Sequence, residues 1–313
     1  MSLFLQKIVF VLSIIAIVLG TYEWYARQND DSCLMVRKMY FEENKNVMEG
    51  AVLGPSHVMR AINPEYFDHN VGTFALPECS FGVSHLFFKE IRSSPNLKFI
   101  ILDFSTGYLS SQVTESWLKR YRVGYYFSLE LEKRGLSDFF YIQYPLIEAI
   151  TSKACRTNNK WGFFERINNR IDKFKKLEFD SIKIANHYNS VDDLPKVLRE
   201  LIDDSEYKDN VEKLKEIATY AKANDIKLFL ISPPKYYIYN DLLEDDMEYM
   251  EERNDALKHL LDEKNIFFWN YEKTYQYDAR LFMDFSHMNT SGAEFFTKEL
   301  NHRINEVLKE EWE

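Results

Sequence analysis

Cysteine is scarce, with Cys33, Cys79 and Cys155 the only three in 313 residues. An odd number without C-x-x-C spacing argues against a disulfide framework and against a structural zinc site, leaving three free thiols or one bridge. Basic runs are as rare. The formal charge is −10, Lys and Arg are scattered, and the one cationic run is "LKRYR" at 118–122. Nucleic-acid binding needs clustered cations, so no nucleic-acid partner is expected. Internal repeats and low-complexity tracts are absent, which sets aside solenoids and linker-rich architectures. The acidic run Glu244, Asp245 and Asp246 reads as solvated surface. Neither a metal nor a cofactor is expected.

Apolar residues are plentiful, at 46% of the chain, and 16% of it is aromatic. That suffices to bury one sizeable core. The N-terminus stands apart from it. Residues 3–26, "LFLQKIVFVLSIIAIVLGTYEWYA", hold an apolar run from Ile8 to Leu19 broken only by Ser13, with Lys7 before it and Tyr22, Trp24 and Tyr25 after it. A bilayer takes roughly 20 mostly apolar residues per helix, and aromatic flanks suit its interface. Residues 1–27 are therefore expected to be a transmembrane signal anchor, with residues 28–313 as the folded domain. A cleaved signal peptide is the competing reading, although bulky "GTYEWYA" offers no prompt small-x-small cleavage site.

Past that segment, helical and strand patterns alternate. Strands are expected near 50–54, 71–75, 98–104, 227–232 and 266–270. "LKFIILDFS" (97–105) and "KLFLISPP" (227–234) are near-continuous apolar runs, as in strands buried on both faces of a parallel sheet. Amphipathic helices are expected over 210–226, around 247–264 and from about Ser291 to Leu308. This alternation predicts an α/β fold of three layers, α/β/α, with a five-stranded parallel sheet in the order 2-1-3-4-5. Residues 107–205 break the rhythm and read as a helical insertion after the third strand, either a cap over the site or an elaboration of the core. Their aromatic run 121–127 reads as core more readily than as a sugar-stacking platform. His85, on the apolar helix "VSHLFF", reads as a core histidine.

Ligands of open parallel sheets sit at the carboxyl ends of the strands. "VLGPSHV" (52–58) ends the first strand in a tight turn that carries Ser56 and His57. A serine on a sharp strand-to-helix turn exposes its hydroxyl, but it needs a base oriented by a third group to become a nucleophile. "MDFSHMNTSGAEFF" (283–296) supplies that pair. At D-x-x-H spacing Asp284 can accept the Nδ1–H of His287 and leave Nε2 for a serine proton. Asn289 or Thr290 can then cap the last helix.

In this order and at these strand ends, the two blocks resemble the SGNH (GDSL-type) hydrolase superfamily. The likeness runs from about residue 45 to 305. "VLGPSHVMRAINPEYF", "PNLKFIILDFS" and "DFSHMNTSGAEFF" look like a membrane-anchored bacterial branch of it, distantly similar to the D-alanyl transfer protein of teichoic-acid modification. The resemblance implies Ser56 as nucleophile, His287 as base and Asp284 as its orienting partner. It implies a catalytic domain outside the bacterial cytoplasmic membrane, acting as an esterase or O-acyltransferase on an acylated surface glycan or a small acyl donor. The alternative is a catalytically weak relative serving as partner of a membrane acyltransferase. Departures from the family pattern concern the oxyanion hole. Pro55 replaces the first-block aspartate, "TFALPECSFG" offers Ser80 or Gly82 near the second-block glycine, and Ser105 or Thr106 stands for the third-block asparagine. His57 either binds substrate or packs on the following helix.

Overall fold

Five short stretches pair into one parallel sheet of order β2-β1-β3-β4-β5. They are β1 Gly50–Leu53, β2 Val71–Thr73, β3 Phe99–Asp103, β4 Lys227–Ser232 and β5 Ile266–Asn270. The computed structural model describes residues 3–28, 33–77, 79–110, 204–244, 247–258, 260 and 264–309. In chain order the helices are α1 Leu3–Gln28, α2 Cys33–Asn44, α3 Ser56–Ala61, α4 Phe81–Ile91, α5 Asp204–Ala223, α6 Tyr237–Glu244, α7 Met247–Lys258 and α8 Thr290–Lys309. The sheet order and strand positions match the sequence expectation. The second strand is shorter than expected, and α6 was not foreseen.

The register is continuous across the sheet, with Ala51 opposite both Gly72 and Ile100, Ile101 opposite Phe229, and Leu230 opposite Phe268. Every residue of β1, β3 and β4 is buried, which is why these strands read as unbroken apolar runs. Alternate side chains serve opposite faces. Ala51, Leu53, Ile100, Leu102, Leu228 and Leu230 share a core with residues of α2, α4, α5 and α7. Val52, Phe99, Ile101, Phe229, Ile231 and Trp269 share the other with α3, α6 and α8. On that second face Phe229 packs against Trp269 at 4.8 Å and Phe99 at 6.1 Å. The result is the expected α/β/α layering.

α8 closes the second face over α3. Thr297 Oγ1 accepts from the Asn63 backbone N–H at 2.9 Å and donates to the Ala61 carbonyl at 3.3 Å. Asn301 and Asn305 both donate to Asp68, each at 2.8 Å. These contacts fix α8, which follows the Asp284–His287 loop, against α3, which follows the Gly54 turn.

The insertion expected at 107–205 falls mostly on residues 111–203, outside the described residues; 107–110 form a turn after β3. The transmembrane helix expected at 3–26 is not found. α1 forms over 26 residues, but among the described residues no helix is long and apolar enough to cross a membrane. Its apolar run is bounded by Gln6 and Lys7 on one side and by Thr21 and Glu23 on the other. What α1 does show is apolar exposure from Leu3 to Val18, with Phe4 72%, Phe10 67% and Ile17 68% exposed.

Candidate active site

The chain leaves β1 through Gly54, whose φ of 143° lies where side chains with a Cβ are strained. Space is short there as well, since a Cβ on Gly54 would sit 2.6 Å from Asp103 Cβ and 2.5 Å from Val58 Cγ2. Pro55 occupies the N-cap position in an extended conformation. The turn therefore delivers Ser56 as the first residue of α3, while Val58 and Met59 bury the helix against the second core.

The base arrives on a loop closed at both ends. Phe282 and Met288 form an antiparallel bridge, Met283 N donates to His287 O at 2.9 Å, and Asn289 N donates to Leu281 O at 3.0 Å. Asn289 also settles the capping question. Its side-chain oxygen accepts from Gly292 N at 3.0 Å and its amide donates to the carbonyls of Arg280 and Phe282. Gly292 permits a tight fit, because a Cβ there would meet the Leu281 carbonyl oxygen at 2.1 Å. Inside the loop, Asp284 Oδ1 accepts from the backbone N–H groups of Ser286 and His287, each at 2.8 Å, and from the Ser286 hydroxyl at 3.1 Å.

These two pieces meet. His287 Nδ1 lies 2.9 Å from Asp284 Oδ2, and His287 Nε2 lies 2.8 Å from Ser56 Oγ. The carboxylate selects the Nδ1–H tautomer, so Nε2 is left to accept the serine proton. Burial by itself would raise the Asp284 carboxyl. The adjoining His287 and the donors of His287 and Ser286 outweigh it and hold the group at about 2. An ionised, oriented carboxylate, an imidazole and a serine hydroxyl thus form one relay.

The remaining sequence candidates fall around it. His57 packs between the rings of Tyr239 (6.2 Å) and His287 (5.2 Å). Its Nδ1 is buried without a hydrogen-bond partner, and burial together with Lys235 and His287 keeps the ring neutral. Ser105 donates its backbone N–H to Asp103 Oδ1 at 2.8 Å, and its buried hydroxyl lies by the same carboxyl and helps to stabilise its charge. Thr106 differs, because its backbone N–H and its hydroxyl both go to Glu272 Oε1 at 3.3 Å. Ser80 precedes α4 as its N-cap without a side-chain cap bond, and Gly82 lies buried in the first turn. The hydrogen bond from Leu76 N to Gly54 O, 3.0 Å, runs the segment leading to α4 alongside the nucleophile turn. Among the described residues, none of Ser80, Gly82, Ser105 and Thr106 hydrogen-bonds to Ser56 or His287. Elsewhere, His85 is buried with Nε2 2.7 Å from Glu216 Oε2, and Cys79 is a buried free thiol. Residues 121–127, Cys155, Asp245 and Asp246 lie outside the described residues.

Sequence reasoning missed a buried charged group beside the relay. Asp103 ends β3, Lys235 comes after β4, and Glu272 after β5; their exposures are 0%, 0% and 7%. Glu272 also pairs with the buried Arg253 of α7 at 2.9 Å. Burial raises the Asp103 carboxyl to about 6, partly offset by Lys235 and by the Ser105 N–H. Burial likewise lowers the Lys235 ammonium to about 8, against the pull of Asp103, Glu272 and Asp284. The available signal was positional: single charges at the ends of two runs that had to be buried strands.

Comparison with known proteins adds little to the geometry. A model of an uncharacterised family matches residues 193–309, less than half of the chain, taking in β4, β5 and the Asp284–His287 loop but not Ser56. Among curated proteins none matches.

Proposed function

We propose that this protein carries out acyl-ester chemistry through an acyl-serine, as an SGNH-type esterase or O-acyltransferase. The observation that carries the reading is the continuous relay from Ser56 Oγ through His287 to Asp284, at 2.8 and 2.9 Å. In this reaction Ser56 Oγ attacks the acyl carbonyl as His287 Nε2 takes its proton. Asp284 stabilises the imidazolium that forms. Collapse of the tetrahedral intermediate expels the alcohol, which takes the proton back from His287 and leaves the acyl group on Ser56. Water or a sugar hydroxyl, deprotonated by His287, then attacks the acyl-serine and regenerates the hydroxyl. The developing oxyanion is held by backbone N–H groups of the nucleophile turn and of the 79–82 segment, with the Ser105 hydroxyl as side-chain donor. The place of Ser105 directly after the buried third strand supports its role, and the engagement of Thr106 by Glu272 argues against the neighbour.

The substrate in this reading is an acylated surface glycan or a small acyl donor. α1, apolar and exposed from Leu3 to Val18, attaches the domain to the bacterial cytoplasmic membrane with the site on the outer side. A membrane acyltransferase is its partner in this reading. The alternative is an inactive relative assisting such an enzyme; engagement of the Thr106 hydroxyl by Glu272 favours it.

The test is labelling of the full-length chain, in membranes or detergent, with a fluorophosphonate probe. Wild type should be labelled and Ser56→Ala should not. Absence of wild-type labelling, or equal labelling of the variant, would leave the inactive reading. Deleting residues 3–28 should move the protein from the membrane fraction to the soluble one, and unchanged fractionation would refute the anchoring role.

A further inference from the structure

Lys235 has no exposed surface. Removing an ammonium from water costs several kcal/mol, so buried lysines are ordinarily paired closely with a carboxylate. Among the described residues no carboxylate lies within 4 Å of this one. Its Nζ instead donates to the carbonyl oxygen of Ser286 at 3.2 Å. Ser286 stands between Asp284 and His287, so the ammonium grips the middle of the base loop. The surroundings point the same way. Tyr239 lies with its ring 5.1 Å from Lys235 Nζ, stacks on Phe285 at 5.9 Å, and meets His57 edge-on at 6.2 Å. The Tyr236 N–H donates to the Phe285 carbonyl at 2.9 Å. The segment after β4 is thus bonded to Phe285 and Ser286, the two residues between the paired members of the D-x-x-H motif.

We propose that Lys235 is a positioning residue for the triad: it holds the Asp284–His287 loop against Ser56 through the Ser286 carbonyl. This rests on the acyl-serine reading above. The charges facing Lys235 come from every side of the site. His57 of α3 is neutral, Asp103 ends β3, and Asp284 is already engaged by His287. Glu272, after β5, is offset by Arg253 of α7. At neutral pH Lys235 is mostly charged, because its pKa is about 8.

The experiment measures the rate of fluorophosphonate labelling of the full-length protein in detergent at neutral pH, with thermal unfolding as a check on the fold. Lys235→Met, which cannot donate to the Ser286 carbonyl, should cut labelling about tenfold or more while the chain stays folded. Lys235→Arg, which keeps a charged donor, should recover most of the rate; a merely structural contribution would lower stability without that recovery. A folded Lys235→Met that labels at the wild-type rate overturns the proposal, as does a folded Lys235→Arg as slow as Lys235→Met. If Lys235→Met does not fold, Tyr239→Leu decides, since it removes the ring that contacts Lys235 Nζ and Phe285, and wild-type labelling of that variant overturns the proposal. Wild type unlabelled at Ser56 is a different result, which removes the acyl-serine reading and this proposal with it.

Discussion

Asp284→Asn removes one charge from the relay and keeps its shape, so its consequences can be worked out from the structure. In the folded chain burial works against the carboxylate, yet His287 and the donors around Oδ1 bring the group to about 2 from its ordinary 3.8. That difference corresponds to ~2.5 kcal/mol of folding stability at neutral pH. The direction of the shift sets the sign. A lowered carboxyl contributes its stability above the unfolded value and loses it as the pH falls through the folded one. The Asn variant should therefore unfold ~2.5 kcal/mol more easily at pH 7, and the deficit should close between about pH 4 and about pH 2. Catalysis should suffer more than stability. An amide N–H facing Nδ1 favours the imidazole tautomer with its proton on Nε2, where it cannot accept from Ser56, and such a swap costs ~10⁴ in turnover. Denaturant unfolding at stepped pH and fluorophosphonate labelling measure the two effects. A stability deficit of equal size at pH 7 and about pH 2.5 would refute the electrostatic argument, and wild-type labelling of the variant would refute the orienting role.

Two further outcomes are expected. Gly54→Ala should lower stability by about 3 kcal/mol or more, because the added Cβ meets Asp103 and Val58 at a left-handed φ; a loss under about 1 kcal/mol in denaturant unfolding would mean that the turn relaxes freely. Ser105→Ala should cut acyl-transfer turnover by ~10²–10³ yet leave the fold intact, since the backbone N–H bond to Asp103 remains. Full turnover in Ser105→Ala, in Thr106→Ala and in the double variant would end the hydroxyl's role.

The legible parts of the chain were those where local pattern and tertiary demand agree. β3 and β4 showed as apolar runs because they are covered on both faces. Ser56 and the Asp284–His287 pair stood out because each motif is short and adjoins an element end. Whether the two would touch across the sheet was beyond any local signal, and the structure supplies that contact. Asp103 and Lys235 were illegible for the opposite reason. A charge at the end of an apolar run reads as the point where a strand meets water, and only the packing of Tyr239, Glu272 and Arg253 around them makes these positions interior. α6 was hidden by the two prolines before it, Pro233 and Pro234, which mark the end of β4 but carry no signal that a helix begins three residues later. The choice between Asn289 and Thr290 as cap could not be made locally either, because the two are adjacent and chemically equivalent in that role. It is decided by carbonyls of Arg280 and Phe282, which only the folded loop presents.

The seam between α3 and α8 also bears on when activity can begin. The nucleophile and its base are 231 positions apart, and the contacts that bring them together, Thr297 to Asn63 and Ala61 and the asparagines to Asp68, all belong to the helix made after the base. A chain emerges at roughly 5–20 residues per second, so Ser56 exists for many seconds with an unreactive hydroxyl. The serine gains its base only when α8 docks. On the acyl-serine reading, competence therefore arrives in one late step, and a chain that has yet to dock α8 carries a serine without its base.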